Sequence, residues 1–144
     1  MTMEEIRQLT TEKDWLEVFP LMKQLRPYLE EKEYIEILHE MVTEKFEMYA
    51  FYRDNQAVAI TGIGWRTNLY YKRHIFVYDL VTDMNERSKG YGEKLLAFVE
   101  MLAKEGNADC IALESALHRL DAHRFYEEKF HFDKFCYSFK KSMK

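Results

Sequence analysis

The sequence has few of the residues that form cross-links or metal centres. It contains two cysteines, Cys110 and Cys136, without a C-x-x-C arrangement. We therefore expect small buried thiols on or beside interior strands, and neither a disulfide nor a metal ligand. The five histidines show no H-E-x-x-H motif and no i, i+4 pairing, so no metal site is predicted. The absence of a G-x-S-x-G elbow and of a serine–histidine–aspartate set argues against a hydrolase.

Long apolar runs and basic blocks are missing as well. No apolar run approaches the length needed to span a membrane, and the first residues lack the basic and apolar regions of a signal peptide. These absences predict a cytoplasmic protein with no membrane partner. The net charge is −4, and no basic block occurs beyond Lys140, Lys141 and Lys144. That balance argues against nucleic acid as a partner.

The residues that are present are typical of one folded domain, which we predict over residues 1–144. The chain is 47% hydrophobic and 15% aromatic, and no linker is visible. Thr11 or Thr10 caps a first helical segment, in which Pro20 should introduce a kink or a break, and a second segment covers residues 31–43. Asp54-Asn55 predicts a tight hairpin turn. The β-like runs cover residues 6–9, 48–53, 57–65, 75–82, 110–113 and 135–139.

Glycines mark two further positions. Gly62 and Gly64, inside a predicted strand, indicate either a bulge or the close approach of a ligand. The segment Arg87-Ser88-Lys89-Gly90-Tyr91-Gly92 follows a strand and opens a helix. Backbone N–H groups at such a helix start bind anions, and glycine lets a phosphate come close to them. The spacing R-x-x-G-x-G is neither the P-loop nor the dinucleotide fingerprint, so it predicts a phosphate site of another kind.

The helix that follows this turn completes a β-α-β unit. Its buried stripe comprises Tyr91, Leu95, Phe98, Val99 and Leu102, and Gly106-Asn107 should end it in a left-handed conformation. The flanking strands over residues 75–82 and 110–113 should run parallel, because the crossover between them is right-handed.

A second motif lies after the strand at residues 110–113. A helix there carries Ala122, Phe125, Tyr126 and Phe130 on a 3-4-4 spacing. Together the two motifs resemble the GNAT superfamily of N-acetyltransferases, specifically over residues 79–139. The resemblance implies a mixed, mostly antiparallel sheet with splayed parallel strands and about four flanking helices. The family usually has asparagine where this chain has Arg119, and often glycine where this chain has His131. The first difference concerns a residue that contacts pantetheine in the family, and the second concerns a turn.

The resemblance implies acetyl-coenzyme A as co-substrate, with no metal. Its pyrophosphate would bind the turn formed by residues 87–92, and Arg119 would contact the cofactor or cap its own helix. The pantetheine arm would pair with the backbone of Leu80, Val81 and Thr82, as an added strand would. Tyr126 would protonate the departing thiolate. Without the motif, Tyr126 would be interpreted as a core tyrosine whose hydroxyl has an ordinary hydrogen-bond partner.

An amine acceptor must lose a proton before it attacks the thioester, because an alkylamine with a pKa of about 10.4 is mostly protonated at neutral pH. Asp79, in an otherwise apolar strand, is either the general base or a structural carboxylate that holds a loop amide or Arg119. Glu114 and a water chain are alternative bases. A backbone N–H near Val81 would hold the oxyanion if the family geometry applies.

The acceptor predicted from the resemblance is a small-molecule or peptide amine. Glu33, Trp65, Tyr70 and Glu114 are the predicted contacts, since acidic and aromatic side chains suit a cation. A homodimer is compatible with this assignment. The alternative class is a non-catalytic module that binds or senses acyl-coenzyme A, and such a module has no need of a proton donor at Tyr126.

Overall fold

A computed structural model describes residues 2–144, which separate into two compact units, residues 2–112 and residues 113–144. The sheet is open and mixed, with five strands in the order β1-β2-β3-β4-β5. The strands are β1 (Glu4–Leu9), β2 (Phe46–Arg53), β3 (Gln56–Asn68), β4 (Lys72–Thr82) and β5 (Cys110–Leu113). No helix among the described residues is both long and apolar enough to cross a membrane.

Strands β1 to β4 form an antiparallel meander. The predicted hairpin turn between β2 and β3 is confirmed: Arg53 pairs with Gln56, and Asp54 and Asn55 between them have φ values of 49° and 65°. Both residue types tolerate this left-handed region. Strand β3 runs three residues past its predicted end and β4 begins three residues early, so the β3–β4 hairpin is longer than its apolar pattern indicates.

Helices α1 (Glu12–Leu25) and α2 (Glu31–Val42) pack on one face of the sheet. Of the two predicted caps, Thr11 is the one used: its hydroxyl accepts from the backbone N–H of Asp14, and the Asp14 carboxylate accepts from the backbone N–H of Thr11. Pro20 lies inside α1 without dividing it. The core of this face is large and apolar and includes Trp15, Val18, Leu38, Met48 and Ile60.

Helix α3 (Tyr91–Glu105) packs on the other face of the sheet, because it contacts the β2 residues that alternate with those beneath α1 and α2. The Tyr91 ring lies 4.9 Å from that of Phe51, and the Phe98 ring lies 4.9 Å from that of Tyr49. The helix ends as predicted at Gly106-Asn107, although the left-handed residue is Asn107, with φ of 59°.

The second unit, Leu113–Lys144, contains α4 (Leu120–Arg124) and a π-helical turn (Phe125–Lys129). The prediction of a strand over residues 135–139 is wrong: these residues have no secondary structure, and residues 133–144 are all exposed. Their alternating pattern suits a strand, but a strand also needs a neighbouring edge with which to pair. The expectation of a buried thiol at Cys136 is also wrong, because Cys136 lies in this exposed segment. Cys110 is half-buried in β5.

Candidate active site

The glycine turn and the start of α3 form a site with the features of an anion-binding helix terminus. Gly90 is the N-cap of α3 and has φ of +84°, a conformation that side chains other than glycine rarely adopt. In the first turn of the helix the N–H of Lys94 donates to the carbonyl of Gly90 at 3.0 Å. The N–H groups of Tyr91 and Gly92 lie ahead of that bond, so the helix itself offers them no acceptor.

The basic side chains of this turn are exposed. Arg87, Ser88 and Lys89 all lie at the surface, and Ser88 has φ of 68°. Lys89 contacts the Glu86 carboxylate at 2.6 Å, which offsets part of its charge. Only the Tyr91 side chain points inward, onto Phe51, so Tyr91 can offer an anion its backbone and not its hydroxyl.

The turn lies directly against the end of β4. A Cβ atom built on Gly92 would be 3.3 Å from Oγ1 of Thr82, which is closer than most such contacts. The predicted cofactor residues Leu80, Val81 and Thr82 are thus adjacent to the predicted phosphate site. On their inner side they pair with Thr61, Ile60 and Ala59 of β3.

On the other side of β4, where β5 lies, the residues Leu80, Val81 and Thr82 come after the end of β5. The N–H of Asp109, just before β5, donates to the carbonyl of Arg73 at 2.7 Å, near the start of β4. At about 3.3 Å per residue, the four residues of β5 span about 13 Å, whereas Leu80 lies about 23 Å along β4 from Arg73. Within the larger unit, β5 is therefore too short to pair with Leu80, Val81 and Thr82.

A bulge in β4 precedes this open stretch. Gly62 pairs with Asp79 and Ile63 pairs with Val77, which leaves Tyr78 as the extra residue. A bulge does lie beside Gly62, but its extra residue is in β4 and not in β3, the strand of the glycines where the bulge was predicted. The glycines themselves make room for aromatic rings. A Cβ on Gly62 would lie 2.8 Å from the Phe46 ring, and one on Gly64 would lie 2.6 Å from the Tyr78 ring.

Asp79 follows the bulge and is 9% exposed. Its partner is Arg26, whose Nε donates to Oδ1 of Asp79 at 2.7 Å, while a second Arg26 nitrogen donates to the carbonyl of Tyr78 at 3.0 Å. Burial raises the pKa of the Asp79 carboxyl above its ordinary value, and the Arg26 charge opposes that shift. Asp79 is thus partnered, as one prediction had it, and the partner that the larger unit supplies is Arg26 and not a loop amide.

Arg26 and Gln24, at the end of α1, are two residues that the sequence reasoning missed. Oε1 of Gln24 accepts from the N–H of Met84 at 2.9 Å, and its Nε2 lies 3.4 Å from Oδ1 of Asp83. Met84 begins the short 3-10 turn (Met84–Glu86) that leads into the glycine turn. The end of α1 is therefore tied both to β4 and to the approach of the glycine turn. Nothing in the sequence around an arginine and a glutamine at a helix end indicates which distant residues they will bond to.

Tyr126 belongs to the second unit and lies in its π-helical turn, a form of helix often found at functional sites. The side chain is 9% exposed, and its ring lies 5.5 Å from that of Phe125 and 5.9 Å from that of Phe132. Burial raises the pKa of the Tyr126 hydroxyl, and the charge of Arg119 in the same unit opposes the rise. The hydroxyl therefore keeps its proton at neutral pH and is able to donate it.

The predicted acceptor contacts are spread over the molecule. The Trp65 ring touches Gly106 at the end of α3 and lies under the Arg73 guanidinium at 4.5 Å, so it is on the α3 face of the sheet, whereas Asp79 meets the end of α1. Tyr70 lies in the exposed β3–β4 turn, and by strand rise it is more than about 20 Å from Asp79 along β4. Glu33 is exposed in the first turn of α2.

Two predicted contacts belong to the second unit. Glu114 is exposed just after β5, and half-buried Arg119 precedes α4. Arg119 is the N-cap residue of α4 without a side-chain capping bond, so the capping alternative for it is not realised. Among residues 2–144 the structure has no group of three or more histidine, cysteine, aspartate or glutamate side chains placed to hold a metal ion.

Comparison with known proteins identifies the family of this chain. Residues 10–132 match the model of the acetyltransferase (GNAT) family. An uncharacterised N-acetyltransferase of Bacillus subtilis strain 168, YhdJ, is 35% identical over 137 residues, which cover 94% of this chain and 96% of that protein. The chain belongs to the GNAT acetyltransferase family and is an acyltransferase.

Solved structures share its fold. The aminoglycoside N-acetyltransferase AAC(6')-Iy in complex with CoA superposes with a TM-score of 0.85 at 14% identity, covering 99% of this chain and 97% of that one. A transcriptional regulator from Bacillus halodurans C-125 gives a TM-score of 0.82 at 21% identity, covering 98% and 100%. At these identities the likeness concerns the fold, which in both cases extends over nearly the whole chain.

Proposed function

We propose that this acetyltransferase transfers the acetyl group of acetyl-coenzyme A to a primary amine of a small molecule or peptide by direct attack. The observation that carries the proposal is the glycine turn of α3, packed at Thr82 against a stretch of β4 that extends beyond β5. An anion site next to a strand edge that β5 does not reach suits a ligand with a pyrophosphate at one end and an amide chain at the other.

In this proposal the cofactor lies along β4. The N–H groups of Tyr91 and Gly92 bind the pyrophosphate with Gly90, while the exposed side chains of Arg87, Ser88 and Lys89 supplement them. The pantetheine amides pair with the outer backbone edge of Leu80, Val81 and Thr82, and Arg119 is a further contact. One neighbour in this fold, AAC(6')-Iy, holds CoA, which supports this choice of ligand.

The acetyl group would then lie near the bulge of β4. Attack by a neutral amine forms the C–N bond and places negative charge on the carbonyl oxygen, for which a backbone N–H near Val81 is the proposed donor. Collapse breaks the C–S bond, and the thiolate takes a proton. Tyr126 is the proposed donor, because its buried hydroxyl stays protonated and a phenol is able to protonate a thiolate with an ordinary pKa of about 8.5.

Asp79 is the proposed base, acting directly or through water, with Glu114 as the second candidate. The buried position of Asp79 and the upward shift of its pKa suit a group that must take up a proton near neutral pH. Arg26 holds the carboxylate in place and limits how far its pKa rises. In this scheme Arg26 is a positioning residue.

The proposed acceptor is an amine drawn in by acidic and aromatic side chains. Glu33, with Glu31 in the same first turn of α2, supplies negative charge. Tyr70 and Glu114 would contact parts of the acceptor remote from the amine, and a contact by Trp65 requires an approach from the α3 face. The neighbour solved with CoA is named for aminoglycosides, which are themselves amines.

The remaining elements of the proposal concern the whole protein. We propose that residues 1–144 act as one domain, that the enzyme works in the cytoplasm without nucleic acid, membrane or metal, and that it forms a homodimer. Membership of an acetyltransferase family favours catalysis over the alternative of a non-catalytic acyl-coenzyme A module.

A transfer screen tests the proposal. The purified protein is incubated with acetyl-coenzyme A and a panel of amines, polyamines, amino acids, aminoglycosides and peptides, and free thiol release is compared with mass spectra of the acceptors. We expect saturable acetylation of at least one amine. Binding of acetyl-coenzyme A without transfer to any panel member would favour the non-catalytic module, and a failure to bind it would reject the assignment.

A further inference from the structure

A cavity of about 370 Å³ lies where helices α1 and α2 meet the end of β1 and the start of β2. At the surface it is lined by His39 and Val42 of α2, which are both exposed. Deeper in, it is lined by Trp15, Phe46 and Met48, all of which are buried. The cavity therefore leads from the surface toward the core of the face on which α1 and α2 pack.

The ring of Phe46 separates this cavity from Asp79. In the sheet order, β3 lies between β2, which carries Phe46, and β4, which carries Asp79. A Cβ atom built on Gly62 of β3 would lie 2.8 Å from the Phe46 ring and 3.1 Å from Oδ2 of Asp79. The ring and the carboxylate thus come close to the same point above β3. No side chain of β3 stands at that point, because residue 62 is a glycine.

The neighbours of the Phe46 ring hold it in this position. Its centroid lies 6.0 Å from that of the Tyr78 ring. Tyr78 in turn packs over Gly64, where a built Cβ atom would lie 2.6 Å from the tyrosine ring. The Phe46 side chain is buried, so moving its ring aside requires its packed neighbours to move as well. The partition between the cavity and Asp79 is therefore part of the packed core.

Arg26 contacts the oxygen of Asp79 that faces away from this partition. Its Nε and Nη2 atoms both lie 2.7 Å from Oδ1 of the carboxylate. In the proposed function Asp79 takes a proton from the amine, and Oδ2 is then the oxygen that accepts it. An amine nitrogen bonded to Oδ2 at an ordinary distance of about 2.7–3.2 Å places the carbon that carries it beside the Phe46 ring.

We propose that Phe46 limits the size of the acceptor, because its ring closes the site at Asp79 and keeps the group attached to the amine out of the cavity. The inference rests on the proposed function of Asp79 as the base. The acceptors that fit are primary amines on an unbranched chain, whereas a ring on the carbon next to the nitrogen collides with Phe46. A smaller residue at this position joins the site to the cavity. At about 370 Å³ the cavity has room for a phenyl group, since about 150 Å³ is enough to bind benzene.

Competition between two amines tests the size limit. Wild type and Phe46→Leu are each given acetyl-coenzyme A with equal concentrations of n-butylamine and benzylamine, and mass spectrometry measures the ratio of the two products. This ratio reports selectivity and does not depend on the fraction of protein that is folded. We expect wild type to favour butylamine and Phe46→Leu to raise the share of benzylamine at least about 10-fold, as for a group newly admitted to an apolar pocket. Phe46→Met, with a flexible side chain closer in size, should raise it less.

Two further variants show where the selectivity arises. Tyr49→Leu removes a ring from the other face of β2, where Tyr49 packs on Phe98, and should keep the wild-type product ratio. Val42→Trp, added to Phe46→Leu, fills the outer part of the cavity and should return the ratio toward that of wild type.

The outcomes separate this inference from the proposed function. An unchanged product ratio in Phe46→Leu, a wild type that favours benzylamine, or a double variant that keeps the altered ratio overturns the size limit, while transfer itself supports the proposed function. If wild type acetylates an amine of the transfer screen but neither probe, benzylamine must raise the melting temperature of Phe46→Leu more than that of wild type, and equal shifts overturn the inference. No transfer to any amine by wild type or variants rejects both.

Discussion

Arg26 Nε lies 2.7 Å from Oδ1 of Asp79, and the same guanidinium donates to the carbonyl oxygen of Tyr78. One side chain from the end of α1 thus holds both the bulge residue of β4 and the carboxylate that follows it. Asp79 is the more buried partner, at 9% exposed against 36% for Arg26. The ion pair therefore stabilises the fold chiefly because, without Arg26, the buried Asp79 carboxylate would have no opposite charge.

Arg26→Gln should lower both stability and activity at neutral pH. We expect a loss of about 1–3 kcal/mol, which is less than for a fully buried pair because Arg26 is partly in water. The Arg26 charge lowers the pKa of Asp79, so without it that pKa rises further and the acid limb of the rate profile moves to higher pH. Thermal melts and pH–rate profiles measure the two effects. If Arg26→Gln and the charge-preserving Arg26→Lys share the wild-type profile, Arg26 does not tune Asp79.

Asp79→Asn should separate the catalytic from the structural role of this carboxylate. The proposed base is active when ionised, so the wild-type rate should rise with pH through the raised pKa of Asp79. The asparagine variant loses this titration and should be slow at neutral pH, then recover in part at higher pH, where more of the amine is neutral. A lower melting temperature with an unchanged profile would leave Asp79 a structural role only and return Glu114 or water as the base.

Gly92→Glu should abolish binding of acetyl-coenzyme A while the fold persists. The new side chain meets Oγ1 of Thr82 and carries negative charge to the site proposed for the pyrophosphate. Ligand at 100 times its dissociation constant stabilises the wild type by about 2.7 kcal/mol, which a melting shift reports. Ala97→Glu, at an exposed position of the same helix, is the control that adds charge elsewhere. Equal ligand-induced shifts in both variants would remove the cofactor from this turn.

Tyr126→Phe should lower turnover about 10²- to 10⁴-fold and leave cofactor binding nearly unchanged, because it removes one proton donor and keeps the ring. Tyr34→Phe is the matched control: that hydroxyl is also buried, but it donates to the carbonyl of Trp15 at 2.7 Å. Its loss should cost about 1 kcal/mol of stability without slowing the reaction. Equal turnover in Tyr126→Phe and wild type would return Tyr126 to core packing and leave water to protonate the thiolate.

Local patterns in the sequence predicted those features whose causes are local. A capping threonine, a two-residue turn and a glycine-led helix start each depend on residues close in the chain. The family and its mixed sheet followed from two motifs and their spacing. These are the features that the structure and the comparisons confirm.

Partners far apart in the chain were beyond such reasoning. Asp79 was recognised as unusual, but its arginine lies 53 residues earlier, at the end of a helix whose apolar face gives no hint of it. The strand predicted over residues 135–139 failed for the complementary reason: its alternation is strong, but strand formation depends on an edge elsewhere. Trp65 likewise has an aromatic character that suits an amine, while its contact with Gly106 depends on how α3 crosses the sheet.

Gln24 and Arg26 give the end of α1 two attachments, one to the backbone of Met84 and one to Asp79. Two points fix both the position and the rotation of a helix end, whereas one would leave it free to pivot. A ligand that orders the glycine turn therefore also limits the motion of α1, and a ligand held by α1 limits the turn in return. By thermodynamic linkage the two effects are equal in free energy, so the cofactor and any ligand held by α1 should each tighten the binding of the other by the same factor.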